Sequence, residues 1–323
     1  MGRASSQTCL ITGCGGFIGS HLAELMLARG WQVWGTVHRQ AENLRHFAQQ
    51  IRTVEIELSD RAALHRVVAE ARPDAVFHLA SQGYIGPSWE DPVGTFTANV
   101  LGTLYLFEAM HASASEAVAV LVSSSAAYGG ASGAGMIPET QPFGPGSPYA
   151  VSKIAQEMLG DMYWRSRNLK VIRARPFALI GPRKTRDAVS DFARGIVRIE
   201  QHEAEALPVG DLAMIRDFVD VRDGANALRL LAERGAPGEA YNVCAGIGTS
   251  LQEILTELIA LSGRPVRVVV DAGRIRQADD AALIGDPSKL QRLGWQPQIP
   301  LRQTLAETLA FWRTHAAADR VLV

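Results

Sequence analysis

Cysteine is scarce in this chain of 323 residues: there are three, Cys9, Cys14 and Cys244, odd in number and scattered. Such a set builds neither a disulfide framework nor a metal-ligand cluster, and it suits a reducing compartment. Long apolar runs are missing as well. The first, Cys9-Leu10-Ile11, follows a polar start and is far shorter than a signal-peptide core or the ~18 residues of a membrane span. No later run approaches that length. The expectation is a soluble, cytoplasmic protein with no membrane partner. Nor is charge of one sign in excess: 32 basic residues stand against 33 acidic, for a net charge of −1. That leaves no broad positive field, and no basic stripe interleaved with aromatics, to attract nucleic acid. Tandem repeats and low-complexity segments are also lacking.

What is present is a core-forming chain, 47% hydrophobic, long enough for one large or two modest domains. In the first half short β-type runs alternate with helical patterns. Strands are predicted at 9–12, 32–37, 75–79, 118–123 and 170–175, and helices at 19–29, 61–71, 94–111 and 148–167. This rhythm implies βαβ units and a buried parallel sheet. After Pro176 it changes. Helices are predicted at 188–200, 221–234 and 251–261, the last closed by Gly263, with a strand at 239–244. The fold class expected is α/β: a Rossmann-type doubly wound parallel sheet over residues 1–175, and a smaller mixed α/β substrate domain over 176–323. Elements near 219–249 are expected to return to the sheet.

Between the first strand and first helix the chain reads Thr12-Gly13-Cys14-Gly15-Gly16-Phe17-Ile18-Gly19. Gly13, Gly16 and Gly19 suit a dinucleotide turn. One glycine permits the tight turn, one lets the backbone approach a pyrophosphate, and one lets helix and strand pack closely, with the helix N-terminus facing the anion. The end of the second strand lacks the acid that would bind a ribose 2′-hydroxyl. It offers Gly35-Thr36-Val37-His38-Arg39 instead, and Arg39 with His38 suits a 2′-phosphate. The cofactor expected is NADP(H), with NAD as the alternative. Glu57-Leu58, after the next apolar run, is placed near the adenine.

Tyr149 and Lys153 stand at i and i+4 on a predicted helix and so share a face. A nearby ammonium would lower the phenol pKa, from about 10, towards neutral. The strand before ends in Ser123-Ser124-Ser125, at the carboxyl edge where open α/β sheets bind ligands. A serine there can hold a carbonyl or alkoxide oxygen during hydride transfer.

The order and separation of these pieces resemble the extended short-chain dehydrogenase/reductase family over nearly the whole chain. The residues carrying the resemblance are Thr12 to Gly19, His78-Leu79-Ala80, Asn99 to Gly102, Ser123 to Gly129, Ser147 to Lys153 and Arg216-Asp217-Phe218. The resemblance selects Ser124 as the catalytic serine, because it lies four residues before Tyr128-Gly129. It gives Asn99 the task of supporting the lysine, and places Phe17, Ile18, Leu79, Ala80 and Ser81 along the cofactor with Tyr149 and Lys153.

Stretches at 34–39, 94–103, 209–218 and 241–249 are similar to the branch of GDP-mannose 4,6-dehydratases and GDP-6-deoxy-4-keto-mannose reductases. The dehydratases place a glutamate two residues after the catalytic Ser or Thr, and here that position is Ala126. Without a carboxylate, elimination lacks its proton acceptor. The resemblance therefore implies an NADPH-dependent reductase of a nucleotide-linked 4-keto-6-deoxy sugar, with Tyr149 as proton donor. A 4-epimerase or 4,6-dehydratase is the alternative, and a non-catalytic NADP(H)-binding sensor the reading from another class. It implies substrate contacts from Ser125 and a diphosphate cradle of Arg183, Arg216 and Arg276, since guanidinium forks match phosphate oxygens. The sequence departs from the family at Ala178, where an asparagine is usual, at residues 82–85, and at Gln277. No metal is expected. The helices at 94–111 and 148–167 carry apolar residues beyond one stripe, and the resemblance implies a homodimer formed through them.

Overall fold

The computed structural model describes residues 7–38, 41–129, 135–274 and 282–315. Seven strands form one sheet, in the order Ala240–Val243, Val171–Pro176, Val118–Val122, Ala75–His78, Thr8–Thr12, Gln32–Val37 and Arg52–Glu55. Every pairing is parallel. The strands are short and apolar because both faces are covered: all four residues of Ala75–His78 are buried. On one face Leu22 and Met26 of helix Phe17–Ala28 pack with Leu228 and Leu231 of helix Val221–Arg234. On the other, Leu64 of helix Arg61–Ala71 and Leu106 and Met110 of helix Gly102–Ser113 pack with Tyr163 of helix Pro148–Arg167. This is the Rossmann-type doubly wound sheet that the alternation predicts. Its order reverses at Thr8–Thr12, which puts a crevice at the carboxyl ends of that strand and of Ala75–His78.

Local chemistry sets the helix boundaries. Asp60, Ser147, Asp187 and Asp220 each accept a backbone N–H at a helix start, and Ser250 with Glu253 forms a capping box. Gly263 closes helix Leu251–Ser262 at φ 67°. The predicted helix over 94–111 forms differently. Helix Pro92–Phe96 passes into a π-helical turn, Thr97–Leu101, before helix Gly102–Ser113. Propensity does not reveal such a turn, which inserts one extra residue and re-aims the side chains it carries.

The second half contributes helix Val221–Arg234 and strand Ala240–Val243 to the large sheet. Its other strands are short. Ile215–Asp220 pairs with Ala178–Ile180, Gly248–Ser250 and Ala282–Leu283, and Val268–Val270 pairs with Leu207–Val209. They lie against a separate apolar cluster in which Phe192 and Ile196 of helix Ala188–Glu200 meet Leu255 and Leu258 and, from helix Leu301–His315, Leu309 and Trp312.

Candidate active site

The glycine turn is fixed by close contacts that only glycine permits. Gly13 has φ +70°, and a Cβ there would stand 2.9 Å from the backbone N and Cα of Ala80. A Cβ on Gly19 would lie 2.3 Å from the Gly13 carbonyl oxygen, so the helix packs directly on the turn. Gly16 is the N-cap of helix Phe17–Ala28, no side chain caps it, and Phe17 and Ile18 form its first turn. An uncapped helix start beside a tight glycine turn matches what a dinucleotide pyrophosphate requires.

A buried polar chain supports the turn from behind. Leu79 and Ala80 each donate their N–H to Thr12 Oγ1 at 3.2 Å, and Thr12 Oγ1 lies 2.8 Å from His78 Nδ1. With both lone pairs taken, the threonine must donate to Nδ1. His78 then carries its proton on Nε2, 2.8 Å from Thr103 Oγ1. Thr103 also accepts from Gln156 and donates to the Asn99 carbonyl. Burial, with Lys153 nearby, pushes the His78 pKa down to about 3, so the ring is neutral. Ser81 follows Ala80, half-buried at the same strand end.

Asn99, in the π-turn, is fully buried. Its Oδ1 accepts from Gln82 N at 2.7 Å, and its Nδ2 donates to Gln82 O at 3.0 Å and Ser152 Oγ at 2.9 Å. Ser152 donates in turn to the Tyr149 carbonyl. Asn99 therefore reaches the helix of Tyr149 and Lys153 through Ser152, while Lys153 Nζ donates to the Val122 carbonyl at 2.9 Å.

The structure brings the Ser124 hydroxyl close enough to Tyr149 to favour the ionised phenol. Ser124 lies two residues past the strand Val118–Val122 and caps the short turn Ser125–Ala127, accepting from Ala126 N at 3.2 Å. Ser125 is buried within that turn. The titration of the pair departs from the sequence expectation. Burial pushes the Tyr149 phenol up, and the Ser124 hydroxyl only partly offsets this. Burial also pushes Lys153 down to about 7, against the pull of Glu157, so its ammonium is in part neutralised near physiological pH. Desolvation, which residue spacing does not show, outweighs the charge effect.

Other predicted residues are placed elsewhere or otherwise engaged. His38 Nε2 lies 2.5 Å from Glu57 Oε1, so the acid absent from the end of the second strand is supplied in space by the segment that follows the third. Leu58 packs where a Cβ on Gly102 would stand. Arg183, at φ +73°, is taken up by Glu24 of helix Phe17–Ala28, with nitrogen–oxygen distances of 2.8 and 3.1 Å. His46 shares that carboxylate. Arg216 donates to its own neighbour, the Ile215 carbonyl, at 2.8 Å. Arg39 and Arg276 fall outside the described residues, as does Gln277. Sequence reasoning missed the buried Glu157–Arg175 pair, whose signal was an acid at i+4 from Lys153 on the same helix face. Among the described residues there is no cluster of His, Cys, Asp or Glu that could hold a metal, and no helix long and apolar enough to cross a membrane.

The chain is similar to known proteins over nearly its whole length. The family described as "GDP-mannose 4,6 dehydratase" matches residues 10–308. The GDP-6-deoxy-D-mannose reductase of Pseudomonas aeruginosa is 33% identical over 320 residues, which cover 97% of this chain and 100% of that protein. A UDP-glucose 4-epimerase of Mycolicibacterium smegmatis is 32% identical, over 94% of this chain and 98% of its own. The solved structure of RMD from Pseudomonas aeruginosa complexed with NADPH superposes with a TM-score of 0.85 at 32% identity, covering 96% of this chain and 100% of that one. The chain therefore belongs to the GDP-mannose 4,6-dehydratase family, within the extended short-chain dehydrogenases/reductases, and is an NAD(P)-dependent enzyme of the oxidoreductase type.

Proposed function

We propose that the chain reduces the 4-keto group of a nucleotide-linked 4-keto-6-deoxy sugar, of the GDP-4-keto-6-deoxy-mannose type, using NADPH. The observation that carries this is at position 126. Its backbone N–H lies 3.2 Å from the Ser124 hydroxyl, so the position stands beside the proposed reacting group, and its side chain is a methyl with no carboxylate to offer. Hydride transfer to a carbonyl needs one proton donor and no carboxylate, whereas elimination needs a base. The similarity to a reductase over the full chain, and to a structure complexed with NADPH, supports the same reading.

The turn Gly13–Gly19 would hold the pyrophosphate, and Leu79, Ala80, Ser81, Tyr149 and Lys153 the nicotinamide half. When bound, the reduced cofactor supplies the hydride. The chain's own groups manage the oxygen. Ser124 and Tyr149 would each turn their hydroxyl towards the C4 oxygen, and as hydride reaches C4 the Tyr149 proton passes to that oxygen, leaving a C4 hydroxyl and a phenolate. Lys153, buried and poised near pH 7, favours the resulting phenolate and helps return the proton from solvent. Ser125 remains a candidate substrate contact, and Arg216 and Arg276 the candidate contacts to the nucleotide diphosphate. Arg183 joins them only by exchanging Glu24 for a phosphate.

The chain is further proposed to act as a homodimer. Trp89 (64%), just before the segment Pro92–Ser113, Val93 (76%), at its start, and Met158 (48%) and Met162 (45%), on helix Pro148–Arg167, are exposed. A second copy would cover them.

The test is NADPH oxidation on supplying GDP-4-keto-6-deoxy-mannose. No turnover across GDP-, UDP-, CDP- and dTDP-linked 4-keto sugars would sink the proposal. One observation favours a 4-epimerase instead: Glu57 beside His38 is an acid where an NAD enzyme binds its ribose. Protein that purifies with NAD+ and interconverts nucleotide sugars with no net cofactor change would establish that reading.

A further inference from the structure

We propose that Arg175 is a positioning residue for this reaction: it ties the turn that carries Ser124 to the helix that carries Tyr149 and Lys153. The proposal rests on the reductase reading for its kinetic arm only.

Arg175 lies on strand Val171–Pro176, 4% exposed. Its Nε donates to both oxygens of Glu157 at 2.9 and 3.1 Å, and its Nη2 to Glu157 Oε2 at 2.6 Å. Glu157, fully buried, is one helical turn beyond Lys153 and two beyond Tyr149 on the same face. The other arm of the guanidinium, Nη1, donates to the Tyr128 hydroxyl at 2.8 Å and the Glu139 carbonyl at 2.9 Å. Tyr128 closes the turn that Ser124 opens: its N–H bonds the Ser125 carbonyl, and the Ala127 N–H bonds the Ser124 carbonyl. Tyr128 then donates to Asn242 Oδ1 at 2.7 Å, and Asn242 donates to the Ile137 carbonyl and, through its backbone, to Glu139. The plane of the guanidinium is fixed by the rings of Tyr128 and Phe143, 5.1 and 4.9 Å away.

One planar, five-donor group thus sets the separation between the element holding the serine and the element holding the tyrosine. A lysine could not do this, because it offers a point charge on a flexible stem. Stability alone is a weak reason for the pair, since buried ion pairs are often replaced by apolar residues at no loss. Displacing a reacting group by about 1 Å, by contrast, can cost ~10²-fold in rate.

Three full-length variants, Arg175→Lys, Tyr128→Phe and the apolar pair Arg175→Met/Glu157→Met, are assayed well below the lowest Tm. The apolar pair is expected to melt at or above the wild-type Tm yet lose about 100-fold in kcat, with KM and NADPH affinity within about threefold. Arg175→Lys should lose a similar factor, and Tyr128→Phe less. A folded apolar pair or Arg175→Lys with kcat within twofold of wild type overturns the proposal. If wild type turns over no substrate, the reductase reading fails and the positioning claim is judged by spectroscopy. In fluorotyrosine-labelled protein the 19F resonance of Tyr149, assigned by its loss in Tyr149→Phe, should move in Arg175→Lys. An unmoved resonance overturns the proposal whatever the activity.

Discussion

At the proposed cofactor end of the cleft the groups are backbone and neutral side chains: the glycine turn, the Thr12 hydroxyl, the imidazole of His78 held without charge. At the proposed substrate end they are arginines, and Arg183 already holds an acid, Glu24. A phosphate reaching the first end meets a site already shaped for it, whereas one reaching the second must compete with that carboxylate for Arg183. The first end is specified by what each position forbids, such as a Cβ at Gly13. The second is specified by where flexible side chains choose to go.

Tyr149 sits at the seam, and its removal gives the largest expected effect. Tyr149→Phe should lower kcat by about 10³-fold while NADPH and nucleotide-sugar affinities stay within about threefold, because each end binds its own ligand. Stopped-flow turnover and equilibrium binding check this. A kcat within tenfold of wild type would move the proton donor elsewhere.

The neutrality of the cofactor end has a pH signature of its own. His78 titrates at about 3 in the fold and near 6.5 when unfolded. Between those values the unfolded chain binds the extra proton, so this residue's contribution to stability is present above pH 6.5 and is lost as the pH falls towards 3. Asp217, held up at about 6, works in the opposite direction over part of the same range, so the measurement must be a difference. The stability gap between wild type and His78→Asn should shrink by about 2 kcal/mol from pH 7 to pH 5, as read by urea unfolding. A gap constant with pH would mean that the ring titrates in the fold as it does in the unfolded chain.

The same contrast explains what could be read in the sequence. The helices over 61–71, 148–167, 188–200 and 221–234 form with their predicted bounds, because caps and periodicity are local. Gly13 and the Tyr149–Lys153 spacing were legible for the same reason. The π-turn at Asn99 was not, since one inserted residue leaves the hydrophobic period nearly unchanged. Neither were the three-residue strands Ala178–Ile180, Gly248–Ser250 and Val268–Val270, which are fixed by pairing across the chain rather than by composition. The partners of Arg183 and Arg175 lie 159 and 18 residues away, and spacing carries no information about them.

His38 and Glu57 are where the two kinds of reading meet. The sequence showed no acid at the end of the second strand, and the fold puts one there from the segment that follows the third. Both side chains are about half exposed, at 52% and 56%, so water and salt screen what they do. A carboxylate this close to the ribose would repel a 2′-phosphate by no more than about 1 kcal/mol at such exposure, and would accept a 2′-hydroxyl. Glu57→Gln should therefore shift the ratio of NADPH to NADH affinity towards NADPH by about threefold to fivefold, the smallest of these effects. Titration of intrinsic cofactor fluorescence with each dinucleotide measures the ratio directly. A shift towards NADPH that comes mostly from weaker NADH binding would mean that Glu57 holds the hydroxyl, and would favour the epimerase. One that comes from tighter NADPH binding would mean that Glu57 only opposes the phosphate, leaving the reductase as the better reading. No shift at all would remove Glu57 from cofactor choice and leave it to the residues beside His38.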